Sequence, residues 1–300
     1  MIYFDDKRSK SMASALHSDP FKTELSRLGL NEDPFQLSAD PRYLYLGEEH
    51  QAVFETIKQV IQKRRGLALV TGKPGTGKSS LARFTFDRLF GNGEFDVAYI
   101  DTSNFDTRTA AAKKISQSFG TIEIETGRSY SEQMELLEQG IAGAYKKGHI
   151  VVLLLDDAQK LKRFSLELLH ELYNFDFGEK AMNVIAFGEE SAVKNFYNYP
   201  SISSRLYTIQ SLKPISYETT IQMVGFRLST AAGGKTLSIF TDSALQKLYE
   251  TSAGIPRDVV ILGSMALDKL IQTGGVSVGN DLMTQVAEDF TTQRNLVYGQ

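Results

Sequence analysis

The sequence predicts an α/β fold: a parallel sheet sandwiched by helices, followed by a small all-α lid domain. Three observations predict it. Apolar runs of strand length alternate with amphipathic segments from about residue 48 to residue 212. With short polar connections, that alternation implies parallel strands covered on both faces. The apolar run Leu67–Val70 leads straight into Gly72-Lys-Pro-Gly75-Thr-Gly77-Lys78-Ser79, a phosphate-binding loop at every specified position. After Pro214 only helical patterns follow, over about 216–229, 242–252, 256–273 and 280–291. The expected domains are an N-terminal arm or linker at 1–35, a phosphate-loop core at 36–214 and the helical lid at 215–300.

Each element follows in order. Asp19-Pro20 and Asp33-Pro34 punctuate the arm, because the residue before a proline is pushed out of the helical region. Phe21–Leu30 is long enough for one short helix. Asp40-Pro41-Arg42-Tyr43-Leu44-Tyr45-Leu46 is an extended aromatic lead-in. A helix from about Glu48 to Lys63 carries Val53, Ile57, Val60 and Ile61 on one face. The helix after the loop stops at Gly91-Asn92-Gly93. Phe95–Ile100 reads as the second strand, Asp101–Arg108 as a polar loop and Ala110–Phe119 as a helix. Ser129-x-x-Glu132 is a capping box opening a helix to Lys147. His149–Leu155 is apolar and β-branched, as a central parallel strand must be. A helix over Phe164–Phe175, a strand over Met182–Phe187 and a last strand over Tyr207–Leu212 complete the core. In the lid, Pro256 stands at a first helical position, where its missing N–H costs little.

Composition excludes several classes. Of 300 residues, 42% are hydrophobic and 23% charged, which suits a protein with a sizeable core. There are no cysteines, hence no disulfides and no thiolate site, in keeping with a reducing cytoplasm. The longest apolar run, Ile150–Leu155, is too short to span a bilayer, and the N-terminus lacks the order of a signal peptide. His17, His50, His149 and His170 show no metal-ligand spacing. At a net charge of −3, binding to nucleic acid requires local patches or assembly.

The chemistry centres on Gly72, Lys73, Pro74, Gly75, Thr76, Gly77, Lys78, Ser79 and Ser80. The glycines let successive N–H groups converge on one concavity suited to a polyphosphate. Lys78 reaches β- and γ-phosphates, Ser79 supplies a hydroxyl ligand for Mg²⁺, and the helix start presents its positive end. Asp156 ends a central strand, where a carboxylate holds the Mg²⁺ water shell that ATP hydrolysis needs. Asp157 stands where a group must orient and deprotonate the attacking water. It is one methylene shorter than glutamate, so it is either a competent base or the cause of slow, conditional hydrolysis. Arg205 and Arg257 are either ordinary surface arginines or two guanidinium groups for γ-phosphate charge.

Together with the lead-in Asp33-Pro34-Phe35 … Asp40-Pro41-Arg42-Tyr43-Leu44-Tyr45-Leu46-Gly47-Glu48, the phosphate loop, Leu153-Leu-Leu-Asp156-Asp157-Ala158-Gln159, Ser204-Arg205 and Gly254-Ile-Pro-Arg257 resemble an AAA+ ATPase. The resemblance is closest to the ExeA/GspA-type and TnsC/TniB-type (transposition-regulator) branch and covers about residues 30–290. It implies that Ser79 and Asp156 serve magnesium and that Asp157 replaces the catalytic glutamate. It implies that Arg205 is a finger supplied to a neighbouring subunit and Arg257 a sensor on the lid. A polar sensor usually ends the strand after the Asp-Asp motif. Glu189 holds that place here, and its negative charge opposes contact with phosphate.

A finger acting in trans implies a homo-oligomer, a ring or a helical filament. The branch implies two tasks. TnsC/TniB-type proteins assemble on DNA with ATP and recruit a transposase. ExeA/GspA-type proteins assemble a secretion pore and carry a membrane span and wall-binding domain after the ATPase. The sequence stops at Gln300 with neither, which favours a cytoplasmic, DNA-linked ATPase that regulates or recruits a transposition or recombination partner. Arg108, Lys113, Lys114, Lys160, Lys162 and Arg163 either line a ring interior and meet the phosphates of double-stranded DNA or form an ordinary solvated face. The alternatives are a secretion-assembly ATPase and a slowly hydrolysing nucleotide switch that scaffolds partners. A small-molecule kinase is disfavoured, since nothing resembles an acceptor-substrate lid.

Overall fold

The computed structural model describes residues 20–37, 40–119, 129–175, 177 and 179–298; most of the expected N-terminal arm, residues 1–19, lies outside them. The chain forms two units. Leu46–Pro214 is one, and the segment ending at Tyr45 joins Ile215–Gln300 in the other.

Within Leu46–Pro214 the described residues form one five-stranded sheet of β1 (Leu67–Thr71), β2 (Phe95–Ile100), β3 (Ile150–Leu155), β4 (Met182–Gly188) and β5 (Leu206–Ser211). The strands are all parallel, in the order β2-β3-β4-β1-β5. Val184 of β4 pairs with Leu67 of β1 on one side and Leu153 of β3 on the other. The first helix, α1 (Pro20–Arg27), belongs to the other unit. Those of the sheet unit are α2 (Glu48–Gln62), α3 (Lys78–Leu89), α4 (Arg108–Ser118), α5 (Tyr130–Lys146), α6 (Arg163–Tyr173), α7 (Ser191–Tyr197) and α8 (Pro200–Ser203).

Period-two alternation splits the sheet's side chains between two cores. Leu67, Leu69, Leu153, Leu155, Val184 and Ala186 pack with Ile115, Leu137, Leu168 and Leu172 on one face. Ala68, Val70, Val152, Leu154, Ile185 and Phe187 pack with Ile57, Ile61 and Leu81 on the other. Cover on both faces explains why β1 and β4 are buried at every residue and are apolar except for Thr71 and Asn183. The capping box forms as expected. The Ser129 N–H donates to Glu132 Oε2 at 2.7 Å, and the Ser129 hydroxyl oxygen accepts from the Glu132 N–H at 3.4 Å. Helices α7 and α8 were not anticipated: at seven and four residues they are too short to show a helical stripe.

The second unit contains α1, α9 (Tyr217–Ala231), α10 (Asp242–Ser252), α11 (Pro256–Gln272) and α12 (Asn280–Tyr298). Ser216 and Thr241 cap α9 and α10 by accepting from the N–H groups of Thr219 and Ala244. The lead-in packs here. Phe35 is fully buried, edge-on to Phe240 at 5.9 Å, and sits so close to α11 that a Cβ on Gly263 would lie 2.5 Å from its ring. Buried Arg227 of α9 donates to the backbone carbonyls of Pro34, Gln36 and Tyr43. These contacts group the lead-in with the helices rather than with the sheet.

Candidate nucleotide-binding site

The loop between β1 and α3 is held from several directions. Gly72 is confined: a Cβ there would lie 2.6 Å from the Leu212 carbonyl oxygen and 2.9 Å from Thr76 Oγ1. Gly75 and Gly77 take left-handed φ values of 84° and 96°, which an L side chain strains to reach. Thr76 is fully buried and its hydroxyl donates to the Lys73 carbonyl at 2.8 Å. Helix α3 begins at Lys78, so its first N–H groups and its positive end close the concavity.

Lys78 Nζ donates to the carbonyls of Gly72 and Lys73, at 2.9 and 2.8 Å. Burial lowers its pKa, and the nearby carboxylates of Glu189, Asp156, Asp157 and Glu190 oppose that shift. The Ser79 side chain lies beside the Asp156 carboxylate, which brings the start of α3 and the tip of β3 together. Asp156 is buried, and burial raises its pKa against the hydrogen bonds from Ser79, the Asp157 N–H and Tyr99. The Asp157 N–H is 2.9 Å from Asp156 Oδ1, and the Tyr99 hydroxyl 3.4 Å from Oδ2. The Ser103 hydroxyl donates to the Asp156 backbone carbonyl, fixing the β3 tip from the loop after β2.

Asp157 has a left-handed backbone, φ 55° and ψ 39°, a conformation concentrated at functional positions. Both its oxygens are engaged. Gln159 Nε2 donates to Oδ1 at 3.0 Å and Lys160 Nζ to Oδ2 at 2.5 Å. Burial would raise the Asp157 pKa, but these two donors outweigh it and the pKa falls. Gln159 also accepts from the Glu189 N–H at 3.0 Å, and its carbonyl accepts from Asn195 Nδ2 at 3.1 Å. Gln159 thereby ties the Asp157 carboxylate to the end of β4, where Glu189 is half-buried.

The remaining candidates differ in their surroundings. Arg205 is half-buried; it donates to the Ser201 carbonyl at 2.7 Å and Asn174 Oδ1 at 3.3 Å, over the Tyr173 ring. Arg257 is exposed, second residue of α11 in the other unit. Of the six basic residues, Lys114, Lys162 and Arg163 are exposed and Lys113 is half-buried. Arg163 also bonds Glu167 within α6 at 3.2 Å. Arg108 is paired with Glu171 and lies over the Tyr130 ring, and Lys160 is the partner of Asp157. Among the described residues no group of three or more histidine, aspartate or glutamate side chains could hold a metal, and no helix is long and apolar enough to cross a membrane.

Sequence reasoning missed His50, which is buried in α2 with Nε2 3.0 Å from the Thr76 carbonyl oxygen. It also missed the grip of Gln159 and Lys160 on Asp157. The i+2 and i+3 spacings were visible, but the left-handed turn that folds them back was not.

Residues 61–196 match a family model described as AAA domain. The chain is 29% identical over 242 residues to General secretion pathway protein A of Aeromonas hydrophila, covering 80% of this chain and 43% of that protein. It is 24% identical over 230 residues to ORC1-type DNA replication protein 9 of Halobacterium salinarum, covering 75% of this chain and 61% of that protein. The chain thus spans less than two thirds of either relative. In fold it is similar to the Aeropyrum pernix ORC2 protein, solved in ADPNP-ADP complexes, with a TM-score of 0.61 at 16% identity over 86% of this chain and 71% of that one. The glycine-bent loop and the Asp156 tip of β3 therefore lie in a stretch that matches an AAA domain, on a parallel β2-β3-β4-β1-β5 sheet, in a chain similar to a secretion-pathway protein and to ORC-type proteins.

Proposed function

We propose that this protein is a Mg²⁺-dependent ATPase that works as a homo-oligomer, a ring or filament, on double-stranded DNA, and regulates or recruits a transposition or recombination partner. The observation that carries the ATPase reading is the glycine-bent loop opening α3, with Lys78 folded over it and the buried Asp156 carboxylate beside Ser79. A hydroxyl and a carboxylate beside an anion cradle are the protein's share of a Mg²⁺–nucleotide site. The ion, held by Ser79 and Asp156, would supply charge neutralisation for phosphoryl transfer. The loop N–H groups and Lys78 bind and orient the phosphates. Lys78 exchanges its two carbonyl partners for phosphate oxygens.

Asp157 is the candidate base, and the bonds from Gln159 and Lys160 occupy both its oxygens. Each bond uses one lone pair of its oxygen and makes the carboxylate a weaker base toward water. That supports slow, conditional turnover, and it gives Lys160 a task within the site. Lys113, Lys114 and Lys162 are then the stronger candidates for DNA phosphates, and Arg163 can join them only by leaving Glu167. Arg205 is the candidate finger for a neighbour's nucleotide, and Arg257 and Glu189 the candidate sensors.

The DNA reading takes support from the ORC1-type DNA replication protein, and a second reading from the 29% identity to General secretion pathway protein A. In the second, the same ATPase drives a secretion assembly and ignores DNA. ATP turnover at rising protein concentration, with and without duplex DNA, separates them. Turnover that grows faster than linearly, responds to DNA and is lost in Arg205→Ala with ATP binding intact supports the oligomer on DNA. Linear turnover refutes the finger in trans, and indifference to DNA selects the secretion reading. Asp157→Glu turning over faster than wild type would mark the native enzyme as a slow switch.

A further inference from the structure

We propose that His50 is a positioning residue for the phosphate-binding loop: its imidazole holds the Thr76 carbonyl and so turns the Gly77 N–H toward bound polyphosphate. The inference rests on the nucleotide-binding reading above and adds to that site a residue from α2.

His50 is 3% exposed and its Nε2 is 3.0 Å from the Thr76 carbonyl oxygen, a contact between residues 26 apart. A carbonyl only accepts, so Nε2 must carry the proton. Nδ1 is buried and has no hydrogen-bond partner among the described residues. The opposite tautomer, or the doubly protonated ring, would bury an N–H with no acceptor. Burial holds the ring neutral in the same sense. Tautomer and charge are thus set by the surroundings, and the ring is a fixed donor to the loop.

The Thr76 carbonyl and the Gly77 N–H belong to one peptide unit. Among the described residues no peptide bond is cis, and in a trans unit the two groups point in opposite directions. Gripping the carbonyl from the α2 side therefore aims the N–H away from α2. The Gly77 N–H stands one residue before α3, among the N–H groups that serve an anion at a helix start. The ring also presses on the next residue: a Cβ on Gly77 would lie 2.5 Å from Nε2. Thr76 is held independently, through its N–H and hydroxyl, both donating to the Lys73 carbonyl. The second half of the loop is thus fixed before any ligand arrives, which cuts the ordering cost of binding.

His50→Leu keeps bulk and removes the donor. His50→Gln keeps an N–H at similar reach, and His50→Asn carries one that is too short. Affinity for ADP and for a non-hydrolysable ATP analogue, measured by calorimetry alongside the melting temperature without nucleotide, tests the proposal. His50→Leu and His50→Asn should bind about tenfold more weakly, the worth of one hydrogen bond into a charged site. His50→Gln should stay within about threefold, and kcat at saturating ATP should change less than KM in all three. If His50→Leu does not fold, the Asn–Gln contrast carries the test. Equal affinity across the variants, with only the melting temperature falling, would overturn the proposal and leave the ATPase reading standing. A wild-type protein that binds no nucleotide would overturn both.

Discussion

Replacing Arg227 by methionine removes the donors that hold the lead-in segment. Arg227 is 6% exposed, and it donates to the carbonyls of Pro34 at 2.7 Å, Gln36 at 2.7 Å and Tyr43 at 3.1 Å. Its guanidinium also lies 5.1 Å from the centre of the Tyr43 ring. Methionine fills much of the same volume and donates nothing. A buried acceptor left without its donor costs about 1–3 kcal/mol, so three set a gross loss of roughly 3–9 kcal/mol. Two effects reduce it. Water reaches half-buried Gln36, and methionine removes a cation whose burial itself costs several kcal/mol. The net expectation is about 3 kcal/mol, the low end for breaking a buried ionic contact. Urea unfolding followed by circular dichroism reads the loss, and amide exchange over residues 32–37 and 40–45 locates it. Arg227→Lys, a point charge without the fork, should fall between methionine and wild type. A loss below about 1 kcal/mol, or uniform exchange throughout the chain, would refute the assignment of Arg227 as the clamp.

Two glycines of similar appearance should respond oppositely to alanine. Gly77→Ala meets a φ of 96° and the His50 ring, and should cost about 2–4 kcal/mol together with nucleotide binding. Gly143→Ala, in α5 with open space around it, should stabilise by about 0.5–1 kcal/mol in thermal unfolding. The His50 pKa is lowered by burial from its usual 6.5, so the folded state binds that proton less readily than the unfolded chain. Its stabilising contribution is therefore fully present above that value and is lost as pH falls through and below it. Denaturant midpoints measured from neutral to mildly acid pH should fall less steeply in His50→Gln than in wild type. Equal slopes would contradict a buried neutral imidazole.

Local chemistry was legible in the sequence where consecutive residues carry it. The strand Leu67–Thr71, the bend at Gly75 and Gly77 and the cap at Ser129 each follow from a few neighbouring side chains. Asp156 was placed beside the loop because a parallel topology brings the carboxyl ends of β1 and β3 to one edge of the sheet. Contacts across long sequence separations were not legible. Nothing near Arg227 announces that it binds carbonyls 184 to 193 residues away, and nothing near His50 distinguishes it from an ordinary core histidine. Asp157 lies between these cases. Its place after the strand suggested a base, but its left-handed backbone and the resulting closure onto Lys160 depend on the folded turn. The basic residues were least legible, since charge alone does not say which lysine or arginine already has a carboxylate; Arg108, Lys160 and Arg163 do.

The central claim is that the loop and the β3 tip form one Mg²⁺–nucleotide site. Equilibrium binding of a non-hydrolysable ATP analogue, with and without Mg²⁺, to wild type, Lys78→Ala and Asp156→Asn tests it most directly. Wild type should bind more tightly with Mg²⁺, Asp156→Asn should lose that Mg²⁺ enhancement, and Lys78→Ala should bind weakly under both conditions. Indistinguishable affinities for all three proteins would contradict the account.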